Sequence, residues 1–187
     1  GSNNFIYGKQ AARGLTTGGN NTVIGKDSLG GKCDSNPNSS RNIYIGDEIG
    51  IGQTHGNENL ILGFKAGRLL ACGSYNMFFG AYIGENQTTG QYNIAIGRRV
   101  NLPSTTGSTQ LAIGCYNSHW ISGDADFNIG IGTNVFNTAV GAGVTAKTYV
   151  GILSAYQLYG DGSALTGIQQ GVPGISTTGT STINNLN

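Results

Sequence analysis

A five-residue phrase of the form Asn–apolar–any–apolar–Gly recurs along the chain with small variations. Successive glycines of the phrase lie 17, 21, 17, 17, 17, 17, 18 and 9 residues apart. Each phrase is rich in β-branched and aromatic residues and is bounded by Asn and Gly, which is typical of a short strand. The Gly content and the absence of a 3.6-residue period argue against helices. The phrases occupy residues 4–8, 21–25, 42–46, 59–63, 76–80, 93–97, 110–114 and 128–132, with a shorter echo at 137–141.

A constant short period indicates stacked units, none of which buries a core of its own. The pattern therefore predicts an all-β fold, a parallel β-solenoid or β-roll of about 17-residue rungs. Nine rungs at a spacing of ~4.8 Å would give a rod roughly 40 Å long. We expect the Gly that ends each phrase, the anchor Gly, to supply a positive φ or a close backbone approach at a corner. A second set of corner glycines lies three residues before most of the leading Asn residues, and the mostly small or apolar position three residues after the anchor Gly is predicted to be a second inward position. The leading Asn residues either form an amide ladder along the rod or close local turns, and both interpretations remain open.

The predicted strands are apolar on both faces. A strand face in contact with water would carry polar residues, so one face should cover the core of the chain and the other should meet another chain. This predicts a closed homo-oligomer around the long axis, most simply a homotrimer. If the middle positions of the strands face that axis, their decreasing size would bring the chains closer towards the C-terminal end. This trimer or core stripe comprises Ile6, Val23, Tyr44, Ile61, Phe78, Ala95 and Ala112.

Departures from the period divide the chain. We expect loops within residues 30–41 and 118–124, where the units are longer. Residues 1–147 are predicted to form the β-roll, and residues 148–187 a transition segment and the start of a fibrous stem. Because the sequence begins inside a repeat, we interpret it as a piece of a longer protein.

Composition excludes several classes of protein. Gly accounts for 33 of 187 residues without falling at every third position, so the chain is not collagen. The net charge is +1 and there is no basic run, so nucleic acid is not a predicted partner. No apolar stretch reaches the ~20 residues needed to span a membrane, so no membrane insertion is predicted. The wide spacing of Cys33, Cys72 and Cys115 indicates free thiols and not a zinc site.

Several segments resemble known fibrous proteins. Asn-Ile-Ala-Ile-Gly at 93–97 and Leu-Ala-Ile-Gly at 111–114 resemble the rungs of trimeric autotransporter adhesin heads. The longer unit, with Thr-Thr-Gly at 88–90 and 105–107, is more similar to repeats of bacteriophage tail-fibre and tailspike proteins. Residues 160–168 and 174–182 resemble, respectively, a short module and the stem repeats of fibres from marine T4-like phages. The resemblance implies a homotrimeric fibre segment on a virion that attaches to the host surface, and it supplies no binding residue.

The sequence contains few residue patterns that are typical of catalytic sites. The close acidic pairs are Asp47–Glu48 and Asp124–Asp126, and no nucleophile, His and acid are arranged as a triad. We therefore predict no enzyme activity, no cofactor and no metal. The predicted partners are further copies of the chain, a host cell-surface glycan or envelope receptor, and other fibre segments. Two alternatives remain open, the head of a bacterial trimeric adhesin on a bacterial surface and a polysaccharide-degrading tailspike.

Aromatic and cationic residues recur at fixed positions of the rungs, where stacking would align them into a patch. Aromatic faces can stack on sugar rings, and guanidinium groups can pair with acidic groups. The alternative is that these side chains make ordinary packing or trimer contacts. The candidate ligand-binding residues are Tyr75, Tyr82, Tyr92, Arg99, Tyr116, His119 and Trp120.

Overall fold

The computed structural model describes residues 1–30, 39–116 and 118–132, together with the backbone of residues 148–150. It is an all-β structure in which ten strands form a single sheet in chain order. The strands are β1 (Phe5–Tyr7), β2 (Thr22–Ile24), β3 (Ile43–Ile45), β4 (Leu60–Leu62), β5 (Met77–Phe79), β6 (Ile94–Arg98), β7 (Leu111–Cys115), β8 (Ser118–Gly123), β9 (Ile129–Ile131) and β10 (Thr148–Val150).

Strands β1 to β7 are parallel, and each pairs with the next in register. The middle residue of one strand lies beside the middle residue of the next, as with Tyr44 and Ile61. Each passage from one strand to the next is one turn of a solenoid of about six turns. The β-solenoid predicted from the period is therefore confirmed.

The C-terminal end of the sheet differs from the prediction. Residues 118–124 were expected to form a loop, but β8 runs antiparallel to both β7 and β9. The rung that was predicted to end at residue 132 is therefore reached by a reversal of the chain and not by another solenoid turn. The longer spacing of this unit reflects an added strand, which a period alone cannot distinguish from a loop.

The core lies inside the rungs. The middle stripe is fully buried at Val23, Tyr44, Ile61, Phe78, Ala95 and Ala112, whereas Ile6 in β1 is 43% exposed because only one neighbouring rung covers it. The middle stripe thus faces the interior of the chain itself, and its decreasing size does not bring neighbouring chains closer. A second inward position follows three residues after each anchor Gly, as the sequence predicted. Its buried members are Ser28, Ile49, Ala66, Ile83 and Val100.

A third inward position was not predicted. Gln53, Leu70 and Gln87, each seven residues after an anchor Gly, are also fully buried. The Tyr44 hydroxyl donates a hydrogen bond to Oε1 of Gln53. Two of these residues are polar, so they were not expected inside.

The glycine corners are confirmed. The anchor glycines of the first six rungs have φ between 129° and 137°, a backbone region that residues other than glycine rarely adopt. A Cβ at Gly80 would overlap the carbonyl oxygen of Gly97 in the next rung. Gly90, which belongs to the second set of corner glycines, is required for the same kind of close approach, since its Cβ would meet the carbonyl oxygen of Gly107.

The leading Asn residues form a continuous ladder. The Oδ1 of each accepts the backbone N–H of its counterpart in the next rung at 2.8–3.1 Å. Each Nδ2 also donates to a backbone carbonyl of the next rung at 2.7–3.1 Å. The ladder interpretation therefore holds over these rungs, with Asn4, Asn21, Asn42, Asn59, Asn76, Asn93 and Gln110 as its members.

The ladder ends where the parallel stacking ends. Gln110 takes part through its N–H, but its longer side chain folds back on its own rung, where it binds the carbonyls of Ser104 and Gly107 and accepts from the Ser104 N–H. Asn128 closes a local turn, since it donates to the Asp124 carboxylate instead of to another rung.

Some predictions fall on residues outside the described part of the chain. They concern Cys33, the echo at 137–141 and the fibrous stem within 148–187, apart from the strand β10 at its start. Cys72 and Cys115 are free thiols. Residues Gly1–Leu153 form one compact unit, and the boundary after residue 147 stays a prediction.

Candidate binding surface

Non-glycine residues in the left-handed backbone region line both ends of the strands. The first corner column lies one residue before each member of the ladder from Asn4 to Gln110 and has φ of 57–61°. The second corner column lies two residues after each anchor Gly and has φ of 49–58°. The first comprises Asn3, Asn20, Arg41, Glu58, Tyr75, Tyr92 and Thr109, and the second comprises Gln10, Asp27, Glu48, Lys65, Tyr82, Arg99 and Tyr116.

The left-handed conformation has a structural cause. It aims the amide of each corner residue at the preceding rung, so that Tyr75 donates to Asn57 at 2.9 Å and Tyr82 donates to Phe64 at 2.8 Å. A non-glycine residue in this region costs on the order of 1 kcal/mol, and the added hydrogen bond between rungs offsets part of that cost. The same geometry repeats at every rung, about 4.8 Å apart.

Two tyrosines stack in the first corner column. The rings of Tyr75 and Tyr92 lie 4.7 Å apart and 5° from parallel, and both side chains are exposed. Below them, Arg41 and Glu58 form a salt bridge at 2.9 Å. Tyr75 and Tyr92, both predicted from the sequence as ligand-binding residues, therefore form one stacked aromatic pair on the surface.

Aromatic rings and cations alternate in the second corner column. Phe64 meets the Tyr82 ring edge-on at 5.2 Å between centroids. Nζ of Lys65 lies 4.9 Å from the Phe64 centroid and 5.8 Å from that of Tyr82. Cζ of Arg99 lies 5.1 Å from the Tyr82 centroid and 5.7 Å from that of Tyr116. Tyr82, Arg99 and Tyr116 are thus joined into one cation–π series.

A second arginine joins this series. Cζ of Arg98 lies 5.0 Å from the centroid of Tyr116, so two guanidinium groups approach one ring. Within residues 1–30, 39–116 and 118–132, no carboxylate forms an ion pair with Arg98 or Arg99. Lys65, in contrast, lies 3.6 Å from Glu48. The end of the column at Arg99 is therefore more positive than the part around Lys65.

The sequence drew attention to the second corner column but missed Phe64 and Arg98. Both occupy the position directly after an anchor Gly, which also recurs at every rung. That periodic signal could have identified them, because neighbouring positions of a corner share one surface.

The strand residues on either side of the buried middle stripe form an exposed apolar strip on the outer face of the sheet. The strip comprises Phe5, Tyr7, Ile24, Ile43, Ile45, Leu60, Leu62, Met77, Phe79, Ile94, Ile96, Leu111, Ile113, Ile121, Ile129 and Ile131. Many of these side chains are about 40% exposed, although their neighbours in adjacent rungs already cover part of each. Nine strands spaced ~4.8 Å apart make the strip roughly 40 Å long.

The structure separates His119 from Trp120. The register of β8 shifts opposite Ile113 and Gly114, which leaves Trp120 as an extra residue in a β-bulge. Trp120 is 68% exposed, next to Ile121 at the end of the apolar strip, whereas His119 is buried. Burial lowers the pKa of His119, and the nearby backbone of Asn101 offsets part of that shift. His119 therefore does not lie on the surface.

The two acidic pairs found in the sequence form hydrogen bonds and ion pairs within the fold. Asp47 accepts the Lys26 N–H at 2.7 Å, and Glu48 lies near Lys65 and Arg68. Asp124 accepts the N–H groups of Asp126 and Asn128. In the described ranges, no group of three or more His, Cys, Asp and Glu residues is placed to hold a metal ion. A shallow depression of about 190 Å³ is lined by Gln10, Arg13, Asp27, Gly30, Glu48 and Ile51.

Among the described residues, no helix is long and apolar enough to cross a bilayer. Comparison of the chain with protein-family models, with curated proteins and with solved structures found no match.

Proposed function

We propose that this chain is a structural and adhesive segment of a homotrimeric attachment fibre, carried on a virion as part of a phage-type tail fibre. The observation that carries this proposal is the exposed apolar strip. It covers on the order of 400 Å² even as a flat projection, which is comparable to the largest apolar patches that monomeric proteins expose, and such patches are often functional. Water-exposed sheet faces normally carry polar residues, whereas in β1 to β7 the positions of the strip are apolar in every case except Thr22 of β2.

The occupant of the strip is a second and a third copy of the same chain. The strip runs along the rod, so copies that lie side by side around a common axis cover it over its full length. A partner with the same repeat has the same spacing between apolar side chains, which favours close packing along the interface. The number three comes from the resemblance of the rungs to trimeric fibre and adhesin repeats.

The adhesive role is supported by the side chains at the corners. Tyr75, Tyr92 and Tyr116 are exposed, and aromatic rings of this kind bind sugar rings through their faces. Both corner columns lie at the ends of the strands, outside the apolar strip, so a trimer that buries the strip leaves these columns accessible. The proposed ligand is a host cell-surface glycan or envelope receptor.

Charged substitutions in the strip test the assembly. Ile45→Asp combined with Ile96→Asp would place two carboxylates in each copy of the proposed interface, where charges without partners are costly. We expect sedimentation velocity to show monomers for this variant and trimers for the parent chain. Leu69→Asp is the matched control, since Leu69 is 54% exposed and lies outside the strip. A trimeric double variant would refute the proposed interface.

Binding to cells tests the adhesive role separately. Fluorescently labelled trimer should bind to intact host envelopes, and periodate oxidation, which cleaves the vicinal diols of surface glycans and opens their sugar rings, should abolish that binding. A trimer that binds no envelope in a broad bacterial panel would reduce the proposal to a structural role.

A further inference from the structure

Arg99 of the second corner column and the adjacent Arg98 carry charges that the fold itself does not neutralise. Arg98 and Arg99 are both exposed, and their guanidinium carbons lie 5.0 and 5.7 Å from the centroid of Tyr116. In the part of the chain that the structure describes, neither is paired with a carboxylate. Two like charges held beside one ring repel each other, and a bound anion would relieve this repulsion. A guanidinium group also presents two parallel N–H donors that match a carboxylate.

We propose that this cation–aromatic cluster, formed by Phe64, Lys65, Tyr82, Arg98, Arg99 and Tyr116, binds a linear polysaccharide with carboxylate-bearing sugars. Arg98 and Arg99 pair with one sugar carboxylate, and the polymer runs along the rod. This inference rests on the proposed attachment function and specifies its ligand, since it replaces a host glycan of any kind with an acidic one.

The spacing of the positive charges fits a polymer. Lys65 and Arg99 lie two rungs apart, about 10 Å along the rod. Tyr82 lies between them and contacts both cations. Lys65 is partly neutralised by Glu48 at 3.6 Å, so Arg98 and Arg99 form the strong end of the cluster and Lys65 the weak end. A chain with a carboxylate on alternate sugars would contact both ends.

The arrangement favours an acidic polysaccharide over a nucleic acid. Proteins that bind single-stranded nucleic acids offer free aromatic faces for base stacking in a strongly basic groove. Here the rings already contact cations or, in the case of Tyr82, the edge of Phe64. The chain has a net charge of only +1. Sugar carboxylates need the guanidinium donors alone, and the tyrosine hydroxyls can hydrogen-bond to sugar hydroxyls.

Calorimetric titration with an oligogalacturonate of defined length tests this assignment. The matched ligand is the same oligosaccharide with its carboxylates methyl-esterified, which removes the charge and keeps the sugar chain. We expect the acidic form to bind, the ester to bind at least about tenfold more weakly, and added salt to weaken the binding of the acidic form. Equal affinity for the two forms would overturn the proposal.

Variants locate the site. Arg98→Gln combined with Arg99→Gln should weaken oligogalacturonate binding about tenfold or more. Arg98→Lys with Arg99→Lys should give a smaller loss, because lysine keeps the charge but not the two parallel donors. Arg41→Gln, which removes a cation from the first corner column, should change affinity less than twofold. Unchanged affinity in the Gln variant would overturn the assignment.

Two further readouts separate the possible failures. Oligothymidylate that binds as tightly as oligogalacturonate would refute the polysaccharide assignment in favour of nucleic acid. If the chain is trimeric and binds host envelopes but not oligogalacturonate, the acidic-ligand inference fails and the attachment proposal stands. If the chain is monomeric and binds no envelope, the attachment proposal itself fails.

Discussion

The Asn ladder should be the main polar determinant of stability, and Asn76 is the residue at which to test it. Asn76 is 1% exposed and lies in the middle of the parallel rungs. Its Oδ1 accepts the Asn93 N–H at 3.1 Å, and its Nδ2 donates to the Gly90 carbonyl at 2.9 Å and to Asn59 Oδ1 at 3.2 Å. Replacement by Ala removes all three hydrogen bonds and opens a space at a rung junction.

The expected cost follows from the groups that lose a partner. The Asn93 N–H and the Gly90 carbonyl remain buried after Asn76→Ala, and each unsatisfied buried group costs about 1–3 kcal/mol. We therefore expect the free energy of unfolding to fall by about 2–6 kcal/mol. Gln91→Ala is the control, since Gln91 is exposed, does not occupy one of the left-handed backbone positions, and bonds to Ser108 and Thr109 through its backbone. It should cost less than about 0.5 kcal/mol.

Urea unfolding, followed by circular dichroism at one fixed protein concentration, measures both changes, since an oligomer's stability depends on concentration. Hydrogen exchange provides a local readout, because the Asn93 amide should lose protection in Asn76→Ala. A loss below about 0.5 kcal/mol, with the Asn93 amide still protected, would refute the role of the ladder.

A second substitution separates hydrogen bonding from packing. Asn76→Asp keeps the shape but replaces the Nδ2 donor by an oxygen that faces two acceptors, Gly90 O and Asn59 Oδ1. This environment raises the folded pKa of the new carboxyl above its unfolded value of about 3.9. The protonated acid can donate one bond, so the difference in stability from the parent should widen as the pH rises from 3 to 7. A difference that does not depend on pH would contradict the donor role.

Three further substitutions test other parts of the structure. Gly80→Ala should abolish folding or cost more than about 3 kcal/mol, because its Cβ would overlap the next rung, whereas Gly132→Ala, with open space around it, should cost only about 1 kcal/mol in a thermal melt. Thr109→Asn should stabilise the fold by roughly 0.5–1 kcal/mol, since Asn tolerates the φ of 57° that a β-branched residue resists, and a lower Tm would contradict this. Burial lowers the folded pKa of His119, so the free energy of unfolding should fall as the pH drops below the unfolded pKa of about 6.5. His119→Gln should remove this pH dependence, whereas His55→Gln, at the exposed second histidine, should not.

The sequence predicted the parts of the fold that depend on periodicity. Strands, anchor glycines and the second inward position follow directly from the 17-residue repeat, because identical rungs place identical positions above one another. The sequence could not determine which apolar face is internal, since Tyr44 and its flanking Ile43 and Ile45 are equally apolar. Only the backbone path shows that Tyr44 points inwards.

Other features depend on local geometry that the repeat does not encode. Antiparallel β8 has no counterpart in the preceding rungs, so the period alone predicts a loop for its residues. His119 and Trp120 do not form a joint surface feature, because His119 is buried whereas the side chain of Trp120, the extra residue of the bulge, is exposed. In the second corner column the sequence identified the tyrosines and Arg99, whereas the approach of Arg98 to Tyr116 is visible only in the structure.

The most direct test of the account is the mass of the unmodified chain in solution, measured by multi-angle light scattering over a series of dilutions. Burial of the apolar strip among three copies predicts three times the chain mass of 19.3 kDa, maintained at low concentration. A dimer would contradict the three-fold arrangement and leave the strip as the interface. A stable monomer of 19.3 kDa would contradict the central claim, because the strip would then be exposed to water over its whole length.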